Sequence, residues 1–223
     1  MDEVIGELLP LALGVAISPV PIIAVILMLL APRAKVAAWS FLAGWVVGIV
    51  AVLAVVSVLV GPVDDGEGGP SAVSAWIRVG LGVVLVLLAA KQWASRPKAG
   101  EPTKLPAWMS ALDRITPWKA GGLGALLSGL NPKNLVLCAG GGVAIGSSAL
   151  PAGEAVIAGA AFVAIAAASV AAPVLGYTLA EKRMRDVLDE LRDWLTDHNA
   201  AVMTVLLLTI GVTSIGKGIG GLS

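Results

Sequence analysis

Leu130-Asn131-Pro132-Lys133-Asn134 sits inside a stretch that is otherwise mostly Gly, Ala, Leu and Val; Lys133 is the single charged residue between Ala120 and Ser147. A proline, two asparagines and a full positive charge are foreign to an ordinary apolar helix, so the surroundings decide the reading. A soluble domain carries about 25% charged residues. This chain of 223 residues carries 13%, against 57% hydrophobic residues and a mean hydropathy of +0.91. Leu8–Leu30, Val36–Val63, Ala155–Ala180 and Asn199–Gly216 contain no Asp, Glu, Lys or Arg. Each approaches or exceeds the roughly 20 residues that cross a bilayer as a helix. Two further runs qualify if internal charge is tolerated: Ser71–Ala94 holds Arg78, with Lys91 near its end, and Ala120–Ser147 holds Lys133.

The expectation is an all-α membrane protein with six transmembrane helices. A first unit, residues 1–94, has spans at about 5–30, 36–61 and 71–94. A cytoplasmic linker with an amphipathic helix follows at 95–119. The second unit, 120–223, has spans at about 120–147, 155–180 and 199–219, with an amphipathic helix at 181–197. Lys and Arg are retained on the cytoplasmic side. With six spans, twelve of the fifteen basic residues fall on one side, in the segments after the first, third and fifth spans. The protein is then expected in the cytoplasmic (inner) membrane, multi-pass, with both termini outside. The leading residues carry Asp2, Glu3 and Glu7 and no Lys or Arg, so a cleaved signal peptide is not expected. A net charge of zero gives no footprint for nucleic acid, and one cysteine, Cys138, forms neither an internal disulfide nor a metal cluster.

Two inner segments are amphipathic: Leu105, Trp108, Met109, Leu112 and Ile115 in the linker, and Met184, Val187, Leu188, Leu191, Trp194 and Leu195 after the fifth span. Both place an apolar stripe against a charged face, as helices at a membrane surface do; a partner-binding or dimer-forming helix is the alternative.

The first and fourth spans begin alike. Leu13-Gly14 then Ser18 corresponds to Leu123-Gly124 then Ser128, and each is followed by prolines, Pro19 and Pro21 in one and Pro132 in the other. Three spans per half would insert the halves upside down relative to each other, a 3+3 inverted repeat with proline-broken first and fourth helices. Proline removes a backbone donor and displaces the carbonyl four residues earlier. In hydrocarbon the freed groups need protein or trapped water, so two such breaks face to face line a polar cavity. The plainer alternative is a pair of packing kinks. Lys133 lies near mid-span, where a lysine costs roughly 2.5–3.5 kcal/mol on insertion scales, so it is expected to point inward toward Ser18, Ser128, Asn131, Asn134 and freed carbonyls. Arg78, about seven residues into its span, either joins that cavity or reaches the outer headgroups. A net-positive cavity implies a substrate bearing phosphate, sulfate or carboxylate.

"SPVPI" (Ser18–Ile22) and "LNPKN" (Leu130–Asn134) resemble the paired motifs of the LysE superfamily of six-span exporters. In that superfamily's amino-acid exporters the first motif is Pro-Gly-Pro; Val20 stands at the glycine here, so an amino-acid substrate is not implied. The chain looks closer to the actinobacterial glycolipid-addressing (Sap/GAP, sulfolipid-addressing) branch. That resemblance implies movement of glycopeptidolipids or sulfolipids toward the cell surface, and its motifs map onto Ser18, Pro19, Pro21, Asn131, Pro132 and Lys133. The expected function is therefore export or flipping of an anionic (glyco)lipid or envelope precursor. The alternatives are a small-solute exporter for an amino acid or organic anion, and a non-catalytic scaffold for envelope lipid assembly. No enzyme activity and no cofactor are expected: there is no Walker-type phosphate loop, and no intramembrane His or Asp stands by to activate Cys138. Expected partners are membrane lipids, the anionic substrate, a second copy of the chain through the Gly121, Gly122, Gly124, Gly129 and Gly140–Gly142 faces, and envelope-building enzymes.

Overall fold

The computed structural model describes residues 1–31, 34–60, 72–96, 109, 112, 114–148 and 150–222. Regular structure among these residues is helical: α1 (Asp2–Ala16), α2 (Pro19–Leu30), α3 (Ala34–Val60), α4 (Ala72–Ala94), α5 (Pro117–Gly129), α6 (Pro132–Gly146) and α7 (Ala152–Gly220). Among the described residues three helices are long and apolar enough to cross a bilayer: Lys35–Val60, Ala75–Ala94 and Ala152–Gly220. The pair α1–α2, bent by 49°, makes a fourth if it is one span.

The prolines set the breaks. A residue before proline is pushed out of helical geometry, and Ser18, ahead of Pro19, has φ −123° and ψ 93°. Asn131, ahead of Pro132, has φ −65° and ψ 121°. Each proline then occupies the first position of a new helix, where its missing N–H is harmless. Ala16 and Gly129 end the first pieces and Pro19 and Pro132 begin the second, so both boundaries recur at 113 residues. The structural counterpart of Ser18 is thus Asn131. The Leu-Gly-x-x-x-Ser pattern instead pairs Ser18 with Ser128, three residues before Asn131.

α7 is a single hydrogen-bonded run, but it doubles back. Ser169 hydrogen-bonds the Ala16 carbonyl, while a Cβ placed on Gly14 would lie 2.6 Å from Ile210 Cδ1. A straight helix would hold Ser169 and Ile210 about 60 Å apart, yet both reach the same turn of α1. Helical geometry is lost at Ala180, with φ −143° and ψ 54°.

The core is centred on α3. Trp45, Phe41, Phe162 and Tyr177 are fully buried, and Trp45 Nε1 donates to the Ala166 carbonyl at 3.4 Å. Neighbouring helices approach α3 through glycine: a Cβ on Gly124 of α5 would overlap the Phe41 carbonyl. The C-terminal arm of α7 meets α4 the same way, with Gly211 lying against the Gly82 carbonyl. Gly122, by contrast, has nothing within 4 Å. In the expected amphipathic helix at 181–197, Leu188 and Leu195 are buried, and Met184 and Leu191 pack against the same core. Val187 and Trp194 face outward. Four of the six stripe residues therefore face the protein interior. In the linker, Met109 and Leu112 are likewise buried, whereas Leu105 and Trp108 lie outside the described residues.

Candidate functional site

A helix end leaves its last carbonyls without intrahelical donors, and α1 ends in the middle of the bundle. Each of these carbonyls finds a donor. Ile17 N–H closes on Leu13 O at 2.8 Å. Gly14 O accepts from Lys133 Nζ at 2.8 Å, and Val15 O accepts from Ser18 Oγ at 2.8 Å. Ala16 O accepts from Ser18 N–H at 2.8 Å and also from Ser169 Oγ. Ile17 O accepts from Lys133 Nζ at 3.2 Å. Lysine, two serines and backbone together replace the water that hydrocarbon cannot supply.

The second break presents the lysine. Asn131 caps α6 by accepting from Lys133 N–H at 3.1 Å, the usual side-chain cap of a helix start. Asn134 Nδ2 donates to Leu127 O at 2.9 Å, joining the last turn of α5 to the first turn of α6. Its Oδ1 stands 3.3 Å from Ser18 Oγ. Ser18 has one hydroxyl proton, and the shorter contact directs it to Val15 O. Its oxygen accepts from Lys133 Nζ. With Gly14 O, Ile17 O and Ser18 Oγ, all three ammonium donors of Lys133 are used. Lys133 is 8% exposed and Asn134 is fully buried.

Ser18, Pro19, Pro21, Asn131, Pro132 and Lys133 line one cavity of about 240 Å³. The remaining wall includes Leu88, Lys91, Gln92, Asn199 and Leu207. Among the described residues, two lysines and no carboxylate line it, and the N-terminal ends of α2 and α6 open onto it. Such ends carry partial positive charge, although Pro19, Pro21 and Pro132 supply no N–H and Asn131 caps that of Lys133. The chemistry on offer is therefore anion binding.

Two expected residues lie elsewhere. Ser128 is buried with its hydroxyl directed to Ala125 O at 3.2 Å, on the face of α5 that packs against Gly48. Arg78 lies outside the Lys133 cavity. Its Nη1 pairs with Glu7 Oε1 at 2.9 Å, and Lys217 Nζ is 3.7 Å from the same oxygen. These three charges line a separate cavity, also of about 240 Å³. Ser169 and Glu7 escaped the sequence reading. Ser169 is one serine in an alanine-rich span, and nothing in its spacing marks it. Glu7 adjoins the first apolar run, so its proximity to Arg78 could have been sought there.

Cys138 is buried, and His198 is exposed and stacked on Trp194 at 4.8 Å between ring centroids. Among the described residues no three His, Cys, Asp or Glu side chains gather as metal ligands.

Apolar helices of bilayer length define an α-helical membrane protein. The chain belongs to the Sap, sulfolipid-1-addressing protein family, whose model matches residues 8–220. No curated protein and no solved structure matches it.

Proposed function

We propose that the chain is a six-span carrier of the LysE superfamily type that exports or flips an anionic (glyco)lipid or envelope precursor across the cytoplasmic membrane. The spans in this reading are α1–α2, α3, α4, α5–α6 and the two arms of α7, forming two inverted halves with both termini outside. The recurrence of both helix boundaries at 113 residues supports the repeat, and the doubling back of α7 supports the span count. Family membership supports a lipid cargo.

One observation carries the reading: Lys133 is held by three acceptors at the break of α1, on the wall of a cavity lined by lysines and helix N-termini. Broken helices whose N-terminal ends face an anion are the usual carrier site. At about 240 Å³ the cavity suits a headgroup and leaves acyl chains in the bilayer. The same size favours a small organic anion as the second reading.

The test replaces Lys133 with Met and measures surface glycolipid by solvent extraction of intact cells. Loss of display, with normal protein in the membrane, is expected. Undiminished display would overturn the carrier reading. Efflux of a radiolabelled organic anion, lost in Lys133→Met while glycolipid display is unchanged, would select the second reading.

A further inference from the structure

The two cavities share their walls, one turn apart. α4 contributes Leu88 to the Lys133 cavity and Leu85 to the Arg78 cavity. α7 contributes Leu207 to the first and Ile210 to the second. α6 contributes Lys133 to the first and Val136 to the second. A three-residue step is one turn, about 5 Å along the axis. Successive turns of the same helix faces thus line two chambers, with one layer of side chains between them. On the α1 side that layer is Gly14, against which Ile210 and Leu137 pack, with Lys133 bonded to its carbonyl.

The Arg78 chamber is amphipathic. At one end Arg78 and Lys217 converge on the single carboxylate of Glu7, leaving one positive charge in excess. The Arg78 and Glu7 side chains are 19% and 18% exposed, so solvent screens them little; Lys217 is 43% exposed and free to swing toward a ligand. The rest of the wall is mainly apolar, with Leu11, Leu81, Leu85, Val136 and Ile210. A cationic rim above an apolar trough matches an anionic headgroup with an attached acyl chain. A free anion would leave the trough unfilled.

We propose that the Glu7–Arg78–Lys217 chamber is a second binding station, specific for an acyl amphiphile with an anionic headgroup, and that it lies on the same path as the Lys133 cavity. Its place on a path rests on the carrier reading above; its binding does not. An incoming phosphate or sulfate takes over Lys217 and shares Arg78, so Glu7 acts as the resident counter-ion that the headgroup displaces.

The test uses the full chain purified in dodecyl maltoside and titrated with oleoyl lysophosphatidate, oleoyl lysophosphatidylcholine and glycerol 3-phosphate. Lysophosphatidate is expected to bind about tenfold tighter than its zwitterionic analogue, since basic residues attract anionic lipid by about 1 kcal/mol each. Glycerol 3-phosphate, lacking the chain, is expected to bind more weakly still. In a Lys133→Met background, where the first cavity no longer offers its buried ammonium, the triple variant Glu7→Gln, Arg78→Gln, Lys217→Gln leaves no orphan charge and should equalise the two lipids. Equal affinities in the native chain, or a preference surviving in that combined variant, would overturn the site. Glycerol 3-phosphate binding as tightly as the lipid would overturn the acyl assignment. Lys133→Met should retain the lipid preference while losing surface display. If it keeps both, the carrier reading fails and the station stands. If Lys133→Met loses display but the triple variant with Lys133 intact displays normally, the station is not on the path.

Discussion

Lys133 Nζ lies 2.8 Å from the carbonyl oxygen of Gly14, 119 residues earlier, and so bridges the broken pair α1–α2 to the pair α5–α6. Each pair supplies what the other lacks, a donor on one side and orphan carbonyls on the other. Replacing Lys133 with Met strands the carbonyls of Gly14 and Ile17. Each unsatisfied acceptor costs about 1–3 kcal/mol, offset in part because no ammonium has to be desolvated. A net loss of about 2–4 kcal/mol is expected in mixed-micelle unfolding. An unchanged unfolding curve would mean that these contacts do not hold the break together.

Glycine packing gives an internal control. A methyl group on Gly124 must displace the Phe41 carbonyl of α3, whereas Gly122, two residues away, has open space. Gly124→Ala is expected to destabilise by about 1–3 kcal/mol through overpacking. Gly122→Ala should be neutral or stabilising by up to about 1 kcal/mol, from helix propensity alone. Thermal melts in detergent distinguish them, and equal melting points would contradict the α3–α5 contact.

The legible parts of this fold are those where chemistry conflicts with hydrocarbon. Prolines and a lysine in an apolar run mark a break and a buried site, and Ser18, Asn131 and Lys133 do line one cavity. Register was harder to read. Ser128 shares a local pattern with Ser18, but distance from the proline, not from the Leu-Gly pair, fixes which residue faces the cavity. Pairing between spans was hidden for a different reason. The depth of Arg78 is countable along its own helix, but its partner Glu7 is 71 residues away, in the second turn of α1. Ser169 answers a carbonyl freed 153 residues earlier, a need that arises only after folding.

At the kink of α7, Lys35 of α3 reaches Glu181 at 3.3 Å, and the Tyr177 hydroxyl donates to the same carboxylate at 3.1 Å. The Lys35 hydrogen bond first, and Tyr177 next, hold the Glu181 carboxyl below its usual value of 4.5. A depressed carboxylate stabilises the fold above its unfolded pKa and loses that contribution as pH falls through the folded one. Below about pH 4.5 the wild-type melting temperature should therefore decline more steeply than that of Glu181→Gln. The two should run parallel from pH 5 to 8. Parallel profiles through the acid range would show that the tether contributes nothing.

Topology can be read with thiols, because Cys138 is the only native cysteine. In a Cys138→Ala background, single cysteines replace Asp2, in the first turn of α1, and Asp197, in the segment joining the arms of α7; both positions are exposed. With six spans and basic segments inside, a membrane-impermeant maleimide added to intact cells should label Asp2→Cys fully and Asp197→Cys only after permeabilisation. The odd span counts allowed by merging α5–α6 or the α7 arms differently would put at least one of these sites on the other side. Labelling of Asp197→Cys in intact cells would remove the basis for placing the basic segments on the cytoplasmic face, and with it the six-span topology.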